Sequence, residues 1–254
     1  WFGLVPLFFE INGLSLGKCY RLSVITGVVL YLSSCYWVMP FLMNMEGYSV
    51  SLAALLALLY WAYCAQVIAI IMLLWVIISK QVLWERLLLF PLVFVTAYSL
   101  FPNVFPVQIG IGQSQALVAI QATDLLGIYG LDFTIALSNI CLYELLKQRN
   151  LKVLTTPFIA CGLFFGLWFT YGYYNLIDWS LSEENWPTKK IGLVQPNDSP
   201  SIEIPKPQVG YGRSYPPEME ITEQLVKAGA EVVFGPESRY KGYFDSAYVQ
   251  AAYL

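Results

Sequence analysis

Leu52–Ser79 reads LAALLALLYWAYCAQVIAIIMLLWVIIS, a run of 28 residues without a formal charge. About 20 apolar residues let a helix cross the hydrocarbon core of a bilayer, so this stretch predicts a membrane span. Working outward, Leu22–Met43, Leu87–Phe101, Ala116–Leu146 and Val153–Ile177 predict four more. Leu87–Phe101 is short and runs into a Pro-rich loop. Trp1–Leu16 is interrupted by Pro6, Asn12 and Gly13 and reads as a sixth, partial span. A cleaved signal peptide is single and N-terminal and does not account for this pattern.

Composition agrees. Of the 254 residues, 57% are hydrophobic and 12% charged, about half the charge of a soluble domain. Residues 1–177 hold 7 Lys/Arg and 6 Asp/Glu, while residues 178–254 hold 7 and 11. A single soluble globule is excluded, and a membrane bundle with a polar, acidic tail is left. The chain has no histidine, which excludes Ser-His-Asp, Cys-His and HExxH chemistry within it. Its five cysteines, Cys19, Cys35, Cys64, Cys141 and Cys161, all fall in the apolar part without metal-site spacing, and read as small packed hydrophobes.

The basic residues of the apolar part alternate. Lys18 and Arg21, then Lys80 and Arg86, then Lys147, Arg149 and Lys152 occupy every second loop. The intervening loops, 44–51 and 102–115, carry no Lys or Arg. The positive-inside rule makes the basic loops cytoplasmic, so the chain from Asp178 onward is expected outside the cytoplasm.

Three stretches organise the tail. Residues 178–188 read as a solvated linker. Lys189–Gln195 (KKIGLVQ) and Ala230–Phe234 (AEVVF) predict buried strands, the second stopping at Gly235-Pro236-Glu237. Pro217–Lys227 has helical spacing, with Glu218 and Glu220 early, Lys227 late and Gly229 as a C-cap. Strand, helix and strand predict a parallel pair in an α/β layer, whose reactive groups gather at the carboxyl ends of the strands. Glu237 lies at such an end. It fits either a functional carboxylate or an ordinary solvated turn residue.

Several segments together resemble the bacterial apolipoprotein N-acyltransferase family. In the tail these are Ile191-Gly-Leu-Val-Gln195, Asn197 and Glu231-Val-Val-Phe-Gly-Pro-Glu-Ser238, with Gly235 where the family usually has Trp. In the apolar part they are Tyr36-Trp37, Phe105-Pro106, Gly112-Gln-Ser-Gln115 and Gly127-Ile-Tyr-Gly-Leu-Asp-Phe133. Val107, Gln113 and Asp132 depart from the pattern.

The resemblance implies a polytopic α-helical membrane bundle followed by the start of an α/β, nitrilase-like αββα extracytoplasmic domain. The expected division is 1–177 bundle, 178–188 linker and 189–254 truncated catalytic domain. It implies a multi-pass protein of the bacterial inner membrane with its catalytic domain on the periplasmic side. The reaction implied is acyl transfer from a phospholipid to the N-terminal amine of a diacylglyceryl-cysteine apolipoprotein, through a thioester. A Glu–Lys–Cys triad is implied, with Glu237 as general base. The lysine and cysteine lie beyond the 254 residues, and with Trp1 at the start the chain reads as an inactive fragment lacking the N-terminal helix and most of the catalytic domain. Trp37, Phe105 and Gln115 are candidate substrate-binding residues, and Trp37 and Phe105 equally fit an interfacial aromatic belt. Membrane lipid is an expected partner, whereas cofactor, metal and nucleic acid are not expected.

Asp132 is costly in a span and is expected to be either functional or structurally paired. Asp124 is expected near headgroups, and Glu144 beside Lys147 and Arg149 as an interfacial ion-pair partner. A membrane-tethered nitrilase-type amidase and a non-catalytic membrane or transport protein remain as alternatives.

The alternation of basic loops makes a direct prediction. Alkaline phosphatase fused after Asp178 will be active, and fused after Lys152 inactive. The opposite pattern overturns the orientation.

Overall fold

The computed structural model describes residues 1–105, 108–148, 151–195, 209 and 217–235. The helices in chain order are α1 (Val5–Ile11), α2 (Leu16–Ser34), α3 (Val38–Met45), α4 (Val50–Ile78), α5 (Leu83–Leu100), α6 (Leu117–Ile120), α7 (Thr123–Lys147), α8 (Leu151–Glu183) and α9 (Pro217–Lys227). A 3-10 turn spans Ile109–Gln113, and strands β1 (Ile191–Leu193) and β2 (Val232–Phe234) flank α9. The chain divides into two compact units, one of residues 1–38 and 54–184, the other of residues 39–53 and 185–254.

The first unit is a helical bundle. Among the described residues α4, α5 and α7 are each long and apolar enough to cross a membrane, and α2 with α3 makes a fourth if that broken pair is one span. At 1.5 Å per residue α4 extends about 43 Å, and α1 only about 10 Å, too short to cross alone. Two expected segments are interrupted. Leu22–Met43 breaks after Ser34, where the indole N–H of Trp61 donates to the freed Cys35 carbonyl at 3.1 Å. Ala116–Leu146 divides into α6 and α7, and α7 is kinked at Gly127, whose φ of +65° and ψ of −174° are costly for any residue with a Cβ. In the other direction, α8 runs through Asp178–Glu183, covering the first half of the stretch expected to be linker.

Small residues let the helices approach. The buried stripe of α2 is Cys19, Ser23, Gly27 and Tyr31, and a Cβ on Gly27 would lie 2.8 Å from that of Ala65 on α4. A Cβ on Gly172 of α8 would collide with the Val118 carbonyl of α6. Four residues earlier on α8, Trp168 donates its indole N–H to Ala119 O at 2.9 Å.

The core is aromatic. Phe8 of α1 packs on Trp75, Phe90 and Tyr143 with ring centroids 4.8, 4.9 and 5.2 Å away. On α5, Phe90, Phe94 and Tyr98 follow at intervals of four and form one buried ladder facing the bundle. One turn before the ladder, Arg86 meets the fully buried Glu144 of α7. Nη2 donates to Oε2 at 2.9 Å, and Nε sits 2.9 Å from Oε1. Glu144 therefore pairs across two helices rather than with Lys147 of its own helix, whose ammonium lies 5.1 Å from the centroid of the Tyr143 ring.

The second unit contains the β1–α9–β2 motif. The strands pair in parallel, with Ile191 opposite Val232, Gly192 opposite Val233 and Leu193 opposite Phe234. Gly229, at φ +92°, ends α9. Ala230 N–H donates to Leu225 O and Gly229 N–H to Val226 O, the two bonds of a Schellman cap. Leu225 of α9 lies over Gly192, where a Cβ would come within 3.0 Å. Lys189 and Glu231 form an ion pair next to the strands.

Removing one partner of a buried ion pair leaves an uncompensated charge. Arg86→Met will destabilise the bundle by about 3–5 kcal/mol, and adding Glu144→Leu will restore most of that loss. Unfolding of the purified protein in mixed micelles measures both. A single variant as stable as the parent contradicts the pairing.

Candidate functional site

Aromatic side chains collect at the end of the bundle where α2 ends, α4 begins and α5 ends. The Trp37 and Phe105 rings meet edge-on at 5.4 Å, and Tyr60 lies 6.4 Å from Phe105. Tyr63 stacks obliquely on Phe101 at 5.2 Å and donates its hydroxyl to Pro102 O at 2.6 Å. Tyr36, Trp37, Tyr63 and Phe105 are all exposed, as are Leu100 and Val104 beside them. The chain thus places two of its three candidate substrate-binding residues in contact. The third, Gln115, is exposed in the turn that follows Ile109–Gln113 and is not part of this cluster. Tyr60 and Tyr63 escape a sequence reading because they sit two to three turns inside an unbroken apolar run.

The loop that carries Phe105 is held from below by α7. Asp132 is fully buried, and its Oδ1 accepts the Gly110 N–H at 2.6 Å. Glycine is needed there, because a Cβ would come within 2.8 Å of Ile128 Cδ1 and 3.1 Å of Asp132 Oδ1. Among the described residues Asp132 Oδ2 is buried without a hydrogen-bond partner. The carboxylate is thus structurally paired through one oxygen. The same turn is tied to α1's approach by Gln113, whose Oε1 accepts the Trp1 indole N–H at 2.7 Å. Asn139 of α7 fixes that approach by donating to Trp1 O and accepting Leu4 N–H, both at 2.8 Å.

Asp124 also has partners. The Tyr171 hydroxyl donates to its Oδ2 at 2.7 Å, and Asn175 Nδ2 lies 3.5 Å from the same oxygen. The five cysteines are buried free thiols in or beside helices. Among the described residues no group of three or more Cys, Asp or Glu is placed to hold a metal ion.

Glu237 lies outside the described residues, as do Pro106, Val107, Asn197, Pro236, Ser238 and Lys241. The description reaches Gly235, one residue beyond the carboxyl end of β2.

A protein-family profile, the apolipoprotein N-acyltransferase N-terminal domain, matches residues 1–141. The chain belongs to the apolipoprotein N-acyltransferase family. The match runs from α1 through most of α7, and so includes the aromatic end, the Ile109–Gln113 turn, the Gly127 kink and Asp132. No curated protein and no solved structure matches the chain. Membership makes this a multi-pass membrane protein of an N-acyltransferase family, whose substrates in general are lipids and lipoproteins.

If the Asp132–Gly110 bond holds the loop of this acyltransferase-family bundle, the Gly110 amide will report it. Asp132→Asn keeps an acceptor oxygen and will leave hydrogen exchange at Gly110 slow. Asp132→Leu leaves the N–H unpaired, a loss of about 1–3 kcal/mol, and exchange will rise roughly tenfold to a hundredfold. Equal exchange in both variants contradicts the role.

Proposed function

We propose that the chain serves an enzyme that takes the sn-1 acyl chain of a phospholipid onto a cysteine thiol and passes it to the α-amine of a diacylglyceryl-cysteine apolipoprotein. The family match over residues 1–141 is the observation that carries this reading. A thioester splits one difficult acyl transfer into two easier steps, since a thiolate attacks esters well and a thioester is readily aminolysed. A carboxylate removes the thiol proton and gives it to the leaving lysophospholipid oxygen in the first step, then takes the amine proton and gives it to the departing cysteine sulfur in the second. Glu237 is our candidate for that base. The parallel β1–β2 pair supports it, because reactive groups of such sheets collect at the carboxyl ends of the strands, and Glu237 follows Phe234 by three residues. A lysine ammonium supplies charge for the tetrahedral oxyanion in the family's triad.

The division we adopt is a bundle over 1–177, a connection over 178–188 and the first part of a nitrilase-like domain over 189–254. In this reading the bundle lies in the bacterial inner membrane with the domain on the periplasmic side, a sidedness that the alternation of basic loops supports. Both substrates carry acyl chains, so the exposed Trp37–Phe105 cluster is a suitable place for a lipid to leave the bilayer for the active domain.

A phospholipid with a labelled sn-1 chain tests the assignment of Glu237. In a chain that also carries the lysine and cysteine of the triad, label will accumulate on the cysteine. Glu237→Gln will slow this step by about 10²–10⁴-fold. An acyl-enzyme formed at the unaltered rate in that variant refutes Glu237 as base.

A further inference from the structure

At the opposite end of the bundle from Trp37 and Phe105, the chain forms an open cavity of about 410 Å³ between the α1–α2 connection and the end of α4. That volume is within the range of small-ligand sites, about 300–1,000 Å³. Its apolar lining is Ile11, Leu14 and Trp75, and its polar lining is Asn12, Ser79 and Lys80. Ile11 and Trp75 are almost fully buried, whereas Asn12 and Lys80 are exposed, so the cavity is apolar at its floor and polar at its mouth.

The charges at this end are not all balanced. Arg86 is neutralised by Glu144, and Lys147 sits over Tyr143. Lys80 makes no ion pair among the described residues, and neither does Glu10, the carboxylate next to Ile11 in sequence. Lys18 adds a second positive charge from the first turn of α2, which is held beside α4 where the Cys19 thiol meets Met72 O at 3.8 Å. Ser79 donates its hydroxyl to Val76 O at 3.0 Å and keeps its oxygen free to accept.

We propose that this cavity binds the phosphate of an anionic, hydroxyl-bearing phospholipid headgroup. Lys80 is the counter-ion of the phosphate, and the Asn12 amide donates to a phosphate oxygen. Ser79 Oγ accepts from a headgroup hydroxyl. Ile11, Leu14 and Trp75 line the glycerol and the first acyl carbons. The apolar floor distinguishes this site from one for a free phosphate ion, and a basic pocket between helices at a membrane surface is the known setting for anionic lipid recognition. The ligand packs against Trp75, a member of the central Phe8–Phe90–Tyr143 cluster, and therefore steadies the bundle from its basic end. The site is remote from the aromatic cluster and takes no part in acyl transfer.

The test uses the full 254-residue chain in neutral detergent with phosphatidylglycerol, phosphatidylcholine or glycerol 3-phosphate. Bound lipid is counted by native mass spectrometry, and stability is followed by thermal unfolding. Phosphatidylglycerol will be retained one per chain and will raise the unfolding temperature, and phosphatidylcholine will do neither. Lys80→Gln will weaken phosphatidylglycerol binding about fivefold, as expected for one charge near a membrane surface, and Lys80→Arg will preserve it. Glycerol 3-phosphate that fails to compete assigns the site to lipid, and full competition assigns the same phosphate site to soluble esters. Equal retention of the two lipids overturns the proposal. So does a Lys80→Gln variant that binds like the parent, or one that loses the same stability in both lipids, since a lysine that merely closes the α4 C-terminus behaves that way.

Discussion

The hydrocarbon core of a bilayer offers no water to a polar group, so each polar side chain of the bundle must find its partner inside the protein. The α5–α7 seam meets this constraint at both ends. Arg86 and Glu144 pair at one end, and the fully buried carboxylate makes no other ion pair among the described residues. At the other, Asp132 spends one oxygen on the Gly110 amide. Between them Phe90, Phe94 and Tyr98 of α5 supply an apolar ladder that excludes lipid and water alike. The Arg86–Glu144 pair is long-range and fixes where α5 stands along α7, while Asp132 fixes the Ile109–Gln113 turn on α7.

The consequences are clearest at the aromatic end. Gly127 kinks α7, Asp132 holds Gly110 five residues beyond Phe105, and Tyr63 ties Pro102 to α4. The exposed rings of Trp37 and Phe105 thus rest on a loop anchored from two helices. A rigid apolar lip at the membrane surface suits a protein whose family acts on lipids and lipoproteins. Such a lip lowers the cost of lifting part of an acyl chain from the bilayer, because the contacts that replace lipid are already in place.

The sequence told more about the elements than about their contacts. Helix α9 is legible to the residue at both ends, because acidic first-turn residues, Lys227 and Gly229 all act locally, whereas the flanking strands, expected to be buried, expose Ile191, Leu193, Val232 and Phe234. The apolar spans are legible from hydropathy, which does not show their breaks. The interruption after Ser34 falls at Cys-Tyr-Trp, just ahead of Pro40, whose ring opposes a helical carbonyl at Tyr36, and Trp61 of another helix stabilises it. Glu144 offered local partners at helical spacing, yet its real partner lies 58 residues away. Asp132 was conspicuous as a carboxylate in a span, but its partner is a backbone amide 22 residues distant, which has no sequence signature. Of the site itself, Trp37 and Phe105 were visible as aromatics at segment ends. Tyr60 and Tyr63 were hidden in the apolar run of α4.

In the proposed function the bundle presents phospholipid at the Trp37–Phe105 end. A phospholipid bearing a photoreactive group near the glycerol end of its acyl chain, incorporated into bilayers with the protein and activated by light, measures this directly. The account predicts that adducts concentrate on Tyr36, Trp37 and residues 100–105. Adducts spread evenly over other exposed apolar positions, such as Leu163 and Leu167 of α8, would contradict it.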